Sequence, residues 1–196
     1  IPDNSMIVVE WNGTEGHCSY QLPYRQTDNL VWDLANHSDY GIWGGKDFIT
    51  DGSNTGDPVA LAGSFFRVKG TYKAWSYTGL PSGSIILDEE VAANPSDYLF
   101  KFEVNSASDY PFYDITSKTG GYLIKLNGGN YQWKYSLDEN MNTFGEWYTV
   151  TLELEDVATA GLVSGKIALT LAMQPNVEWN VDHSFANIRI EKKIGQ

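Results

Sequence analysis

Two kinds of residue in this chain have the type and spacing to do chemistry: aromatics set among polar and glycine residues, and paired carboxylates. In the run Thr71-Tyr72-Lys73-Ala74-Trp75-Ser76-Tyr77-Thr78, strand alternation puts Lys73, Trp75 and Tyr77 on one face and Tyr72, Ala74 and Ser76 on the other. Lys73 marks the solvent side. An indole and a phenol beside it, about 6 to 7 Å apart along a strand, make a flat amphipathic platform for ligands with apolar faces and polar edges, as sugar rings have. Trp43 lies in the polar, glycine-rich stretch Asn36-His37-Ser38-Asp39-Tyr40-Gly41-Ile42-Trp43-Gly44-Gly45-Lys46-Asp47. It reads either as a third member of that platform or as a lid folded over the end of the domain. Trp179, in Gln174-Pro175-Asn176-Val177-Glu178-Trp179-Asn180, reads as a similar loop aromatic before the last strand. Among the polar groups, Lys134 is the first candidate to hydrogen-bond sugar hydroxyls.

The carboxylates offer a different chemistry. Asp88-Glu89-Glu90 and Glu153-Leu154-Glu155-Asp156 have the residue types of a glycosidase acid and base, but both fall at the ends of expected strands, where exposed charge is the ordinary reading. Jelly-roll glycosidases often carry their carboxylates in a Glu-x-Asp-x-x-Glu run on one strand, and the chain has no such run. The three histidines, His17, His37 and His183, sit in separated polar segments without metal-ligand or nucleophile spacing. His17-Cys18 is read as structural, because neighbouring strand residues face opposite ways. Gly-x-Ser-x-Gly and phosphate-binding glycine motifs are missing. The oxygen-rich stretch Asp51-Gly52-Ser53-Asn54-Thr55-Gly56-Asp57 lacks the spacing of a known calcium loop. No catalytic residue, metal or cofactor is therefore expected.

Charge narrows the partners. A formal net charge of −12 repels polyanions, which excludes nucleic acid and an acidic membrane surface as partners. The single cysteine forms no internal disulfide, and no apolar run approaches the roughly 18 to 20 residues that cross a bilayer as a helix. Ile1-Pro2-Asp3-Asn4-Ser5 does not read as a signal peptide, so the chain is expected to be a mature form or part of a longer protein. Asn12-Gly13-Thr14 and Asn36-His37-Ser38 match the short glycosylation pattern.

These residues need elements to hold them. At 196 residues, one domain over 1–196 is expected. Strand-like runs recur at 6–11, 64–69, 71–78, 84–88, 98–104, 122–127, 131–136, 146–154, 166–173 and 185–192, separated by turn residues such as Asn127-Gly128-Gly129-Asn130, Leu80-Pro81-Ser82-Gly83 and Val163-Ser164-Gly165. No helix of ordinary length is expected. Many short alternating strands read as an all-β, antiparallel β-sandwich of the jelly-roll type. Alternation turns Phe100, Phe102 and Val104 inward and Lys101 and Glu103 outward, and it makes Tyr148, Val150, Leu152 and Leu154 an inner set. Trp133, grouped with Tyr131 and Tyr135, is read as core.

The order of several runs carries a resemblance. Gly63-Ser64-Phe65-Phe66-Arg67-Val68-Lys69-Gly70 followed by Ala74-Trp75-Ser76-Tyr77, then Tyr98-Leu99-Phe100-Lys101-Phe102-Glu103-Val104-Asn105, Gly145-Glu146-Trp147-Tyr148-Thr149-Val150-Thr151-Leu152 and Phe185-Ala186-Asn187-Ile188-Arg189-Ile190, resembles the carbohydrate-binding domain of Bacteroidetes surface glycan-binding proteins of the SGBP-B type. The resemblance implies a non-catalytic β-sandwich that captures a neutral polysaccharide of the β-glucan, xyloglucan or mannan class on an aromatic platform. It also implies an outer-membrane, cell-surface location through a lipid anchor upstream of this chain, beside SusC- and SusD-like uptake proteins. Trp43, Trp75 and Tyr77 are the positions that match the platform. The rival readings are a glycoside hydrolase or polysaccharide lyase on the same fold, and a protein-binding adhesin module.

Overall fold

The computed structural model describes residues 29–33, 49–61, 63–74, 78–106, 121–129, 131–133, 143–174 and 178–194. Its strands are β1 (Leu30–Asp33), β2 (Ile49–Thr50), β3 (Phe65–Tyr72), β4 (Thr78–Leu87), β5 (Tyr98–Ser106), β6 (Gly121–Leu126), β7 (Tyr131–Trp133), β8 (Tyr148–Glu153), β9 (Gly165–Gln174) and β10 (Trp179–Lys192). They form two antiparallel sheets. The first runs β2-β3-β10-β5-β8, with β1 also on β10, and the second runs β4-β9-β6-β7. From β3 onward, successive strands alternate between sheets except at the β6–β7 hairpin, which is the jelly-roll order expected of the sequence.

The core lies between the sheets. Phe66 and Val68 from β3, Phe100, Phe102 and Val104 from β5, Val150 from β8, and Phe185, Ile188 and Ile190 from β10 meet Ile85, Leu87, Ile124, Leu126, Ile167, Leu169 and Leu171 of the second sheet. Alternation shows cleanly on β4, where Ile85 and Leu87 are buried and Ile86 is exposed. Burial of each large side chain contributes about 1.5 to 3 kcal/mol before ordering costs are counted.

Three departures from the strand pattern position the rest. The Leu80-Pro81-Ser82-Gly83 segment, expected to be a turn, is a bulge inside β4: Leu80 pairs with Leu171 and Gly83 with Leu169. β4 is the edge of its sheet, where a proline without an N–H is tolerated. On β10 one extra residue enters between the Ala186–Glu103 and Arg189–Lys101 pairs, with Asn187 at φ 48°. This bulge reverses the alternation, so Phe185 before it and Ile188 and Ile190 after it all face the core. The expected strand over 71–78 is divided: β3 ends at Tyr72, Lys73 and Ala74 leave it, and β4 begins at Thr78 in the other sheet. The chain changes sheets here, so alternation along a single strand does not fix the faces of Trp75 and Tyr77.

Two single-turn helices close one end. α1 (Glu89–Ala93) contributes Val91, and α2 (Leu154–Val157) contributes Leu154 and Val157 to the core. Leu154 thus reaches the core from a helix, not from the expected strand.

His183 also departs from its polar sequence setting. It is fully buried on β10, paired across the ladder with Val68 and Ser106, and burial pushes its pKa down to about 3 from 6.5. Between those values the unfolded chain binds a proton that the folded chain refuses. Stability should therefore be unaffected by this group above pH 6.5 and fall by up to about 1.4 kcal/mol per pH unit as the pH drops below it. Urea midpoints between pH 6.5 and 5, above most carboxylate titration, check this. A His183→Gln variant should lose that slope, and an unchanged slope would dismiss the buried imidazole as its source.

Candidate functional site

The topology sorts the candidate residues between the two ends of the sandwich. At the helix end lie α1, α2, the 3-10 turn Pro95–Asp97 and the β6–β7 hairpin, where Asn127 Nδ2 donates to the Gly161 carbonyl. At the opposite end β3 passes to β4, β5 to β6, β7 to β8 and β9 to β10. Trp43, Trp75, Tyr77 and Lys134 lie outside the described residues, and for Trp179 the backbone is described.

Trp75 follows Ala74, Tyr77 precedes Thr78 and Lys134 follows Trp133, and adjacent Cα atoms are about 3.8 Å apart. Thr78 pairs with Met173, Met173 with Tyr122, and Tyr122 with Trp133. That row crosses the second sheet, so the neighbours of Tyr77 and Lys134 stand about 14 Å apart at the usual strand spacing. On the first sheet Trp179 pairs with Tyr72, the last residue of β3. Trp179 is therefore the first residue of β10, not a loop residue as expected, because the Tyr72 backbone extends the ladder to it. The described backbone of Ala74, Thr78, Trp133 and Trp179 lies at one end of the sandwich. Trp43 is not tied to it by the described backbone.

Both carboxylate clusters belong to the other end. Asp88 precedes α1, which holds Glu89 and Glu90; Glu153 ends β8 and Glu155 and Asp156 lie on α2. Glu90 accepts from Lys192 at 2.9 Å, which holds its carboxyl below the usual range, and Glu153 pairs with Lys193. A glycosidase acid needs the reverse, a carboxyl raised by its surroundings.

On the outer face of the first sheet the expected solvent exposure of Lys101 and Glu103 gives way to an enclosed charge network. Arg189 donates through Nη1 to both Glu103 oxygens at 2.9 Å and through Nε to Glu191 at 2.6 Å, and Lys101 reaches the other Glu191 oxygen at 2.7 Å. Glu103, Arg189 and Glu191 are only 7–8% exposed. Burial pushes the Glu103 carboxyl up, and Arg189 offsets this in part. Burial also opposes ionisation of Glu191, but hydrogen bonds from Lys101 and Arg189 hold its carboxyl below the ordinary value.

The oxygen-rich 51–57 loop is likewise tied up within the protein. Asp57 accepts from Thr50, Asn54 and Arg67, and Arg67 also binds Asp182 at 2.8 Å. Among the described residues no cluster of His, Cys, Asp and Glu is arranged to hold a metal.

Sequence reasoning missed an aromatic group at the start of β8. Tyr148, expected in the core, is 43% exposed, and Phe144 is 86% exposed. β8 is the edge strand of its sheet and Tyr148 is its first residue, so its inward parity meets little of the second sheet. The neighbouring Trp147 packs edge-on against Phe65 at 5.3 Å and donates its indole N–H to the Val59 carbonyl at 2.8 Å. A type-specific signal was present only in Phe144-Gly145, a bulky residue before a turn glycine.

Comparison with known proteins adds the following. Residues 24–192 match the family model described as the surface glycan-binding protein B xyloglucan binding domain. No curated protein matches the chain. Among solved structures, the SGBP-B from a complex xyloglucan utilization locus in Bacteroides uniformis is similar at 18% identity and TM-score 0.50, over 84% of this chain and 50% of that one. A protein crystallised with a xylogluco-oligosaccharide is similar at 18% identity and TM-score 0.48, over 84% of this chain and 36% of that one. The chain thus spans half the length, or less, of these two relatives.

Proposed function

The chain belongs to the surface glycan-binding protein B xyloglucan-binding domain family, and from that premise we propose that it binds a neutral polysaccharide of the xyloglucan class without cleaving it. The observation that carries this reading is the family match over residues 24–192. In this reading Trp75 and Tyr77 stack on pyranose rings, Trp43 and Trp179 add further stacking surface, and Lys134 hydrogen-bonds hydroxyls. Membership of a surface glycan-binding family supports a cell-surface location. A lipid anchor in a preceding segment and SusC- and SusD-like uptake partners fit the same reading.

Two features support binding without hydrolysis. The carboxylate clusters sit at the end that carries α1 and α2, and Glu90 and Glu153 are engaged by Lys192 and Lys193. A neutral chain also avoids the long-range repulsion of a protein charged −12.

Calorimetric titration with soluble xyloglucan, galactomannan and mixed-linkage β-glucan tests the proposal. Xyloglucan should bind with an affinity nearly independent of salt, since stacking and neutral hydrogen bonds involve no counterion release, and no new reducing ends should appear. Absence of binding to all three polysaccharides would sink the reading. Release of reducing ends would return the enzyme alternative.

A further inference from the structure

Phe144 is held in an unusual way for a residue so exposed. Thr143-Phe144-Gly145-Glu146 closes a turn through the Glu146 N–H to the Thr143 carbonyl at 3.0 Å, with φ of 54° at Phe144 and 86° at Gly145. Positive φ at both central residues is the signature of a type I′ turn, whose preferred occupants are Asn and Gly. A phenylalanine there is strained.

The turn is fastened to the end of β5 by buried groups. Asn105 Nδ2 donates to the Gly145 carbonyl at 2.6 Å, the Thr143 N–H donates to the Ser106 carbonyl at 2.9 Å, and the Ser106 N–H donates to Thr143 Oγ1 at 2.8 Å. Asn105 and Ser106 are 3% and 0% exposed. Trp147, bonded to Val59 and packed on Phe65, anchors the other side of the segment. The result is a rigid mount that holds an 86% exposed phenyl ring, with the 43% exposed phenol of Tyr148 four residues on. Strained backbone that presents an exposed aromatic ring from a rigid mount is a feature of ligand-binding sites.

We propose that Phe144 and Tyr148 form a second stacking subsite for the same neutral glycan chain. The inference rests on the glycan-binding reading above. Its position favours a sugar chain as occupant: the turn adjoins Ser106, which pairs with His183, while Trp179 lies four residues further along β10. The offset is about 13 Å along that strand and about 10 Å across two strand spacings. Both groups thus belong to the same end of the sandwich. A polysaccharide crossing that end spans the distance from the start of β10 to the Phe144 turn, and a short oligosaccharide does not.

Titration of xyloglucan polysaccharide into the wild type, a Phe144→Ala, Tyr148→Ala double variant and a Phe144→Asn variant tests this. By analogy with bases stacked on aromatic side chains, the double variant should bind about 30-fold or more weakly. Phe144→Asn creates Asn-Gly, the favoured type I′ pair, so it should unfold at a higher temperature while binding more weakly. A ring with a purely structural role would not give those opposite signs.

A double variant within twofold of wild type overturns the subsite and leaves the family reading intact. So does a lowered melting temperature in Phe144→Asn. Glycan-free association of the wild type that the double variant abolishes, with glycan affinity unchanged, would assign the patch to a protein partner. If the wild type binds no glycan, the proposed function and the subsite both fall.

Discussion

Replacing Trp75 and Tyr77 together with alanine is expected to weaken xyloglucan binding by about 30-fold or more. The estimate takes about 1 to 3 kcal/mol for each stacked ring, by analogy with base stacking, and a factor of ten for each 1.4 kcal/mol. The loss comes from desolvation and CH-to-ring contact, so raising the salt concentration should change it little. Both residues lie in the short connection that carries the chain from β3 to β4. The melting temperature of the variant is measured alongside, and a value close to that of the wild type separates lost binding from lost folding. Titration of the variant against the same polysaccharide reads the effect, and undiminished affinity would remove these two residues from the site. Glu89→Gln and Glu155→Gln variants are the natural controls. Their positions on α1 and α2 at the opposite end predict wild-type affinity.

The second large effect is on stability. Arg189→Met should destabilise the fold by about 3 to 5 kcal/mol, the range found when one partner of an enclosed ion pair is removed. Lys101, Glu103, Arg189 and Glu191 together carry no net charge, and Arg189 bridges the two carboxylates. Without it Glu103 faces Glu191 across a space already costly to a carboxylate, as the upward push of burial on Glu103 shows. A Glu103→Met, Arg189→Met double variant leaves the Lys101–Glu191 pair balanced and should recover much of the loss. Urea unfolding of the single and double variants completes the cycle. A single variant within about 1 kcal/mol of wild type would mean that the network is solvated rather than enclosed.

Much of the architecture was legible from alternation. Phe100, Phe102 and Val104 point inward as their period-two spacing requires, and glycine and asparagine turns separate the strands. What alternation left undetermined was where the chain departs from a regular strand. Pro81 signals a turn in isolation but occupies a bulge on an edge strand. Asn187 is one residue among many, yet its positive φ reverses the faces of β10 and places Arg189 opposite Lys101 outside while Ile188 and Ile190 stay in the core.

For the site the division is similar. Sequence alone determined the candidate chemistry: aromatic stacking residues, no catalytic run of carboxylates, and a charge of −12 that repels polyanions. These are properties of side-chain type and short-range order, which need no fold to be read. Only the tertiary structure decided that the two carboxylate clusters share one end of the molecule. The two clusters are some sixty residues apart along the chain, and the jelly-roll crossing of strands between two sheets brings both to the end that carries α1 and α2. Tyr148 and Phe144 show the same limit from the other side. Their exposure follows from an edge strand and a turn fastened to β5, contacts between residues some forty apart that no local period encodes.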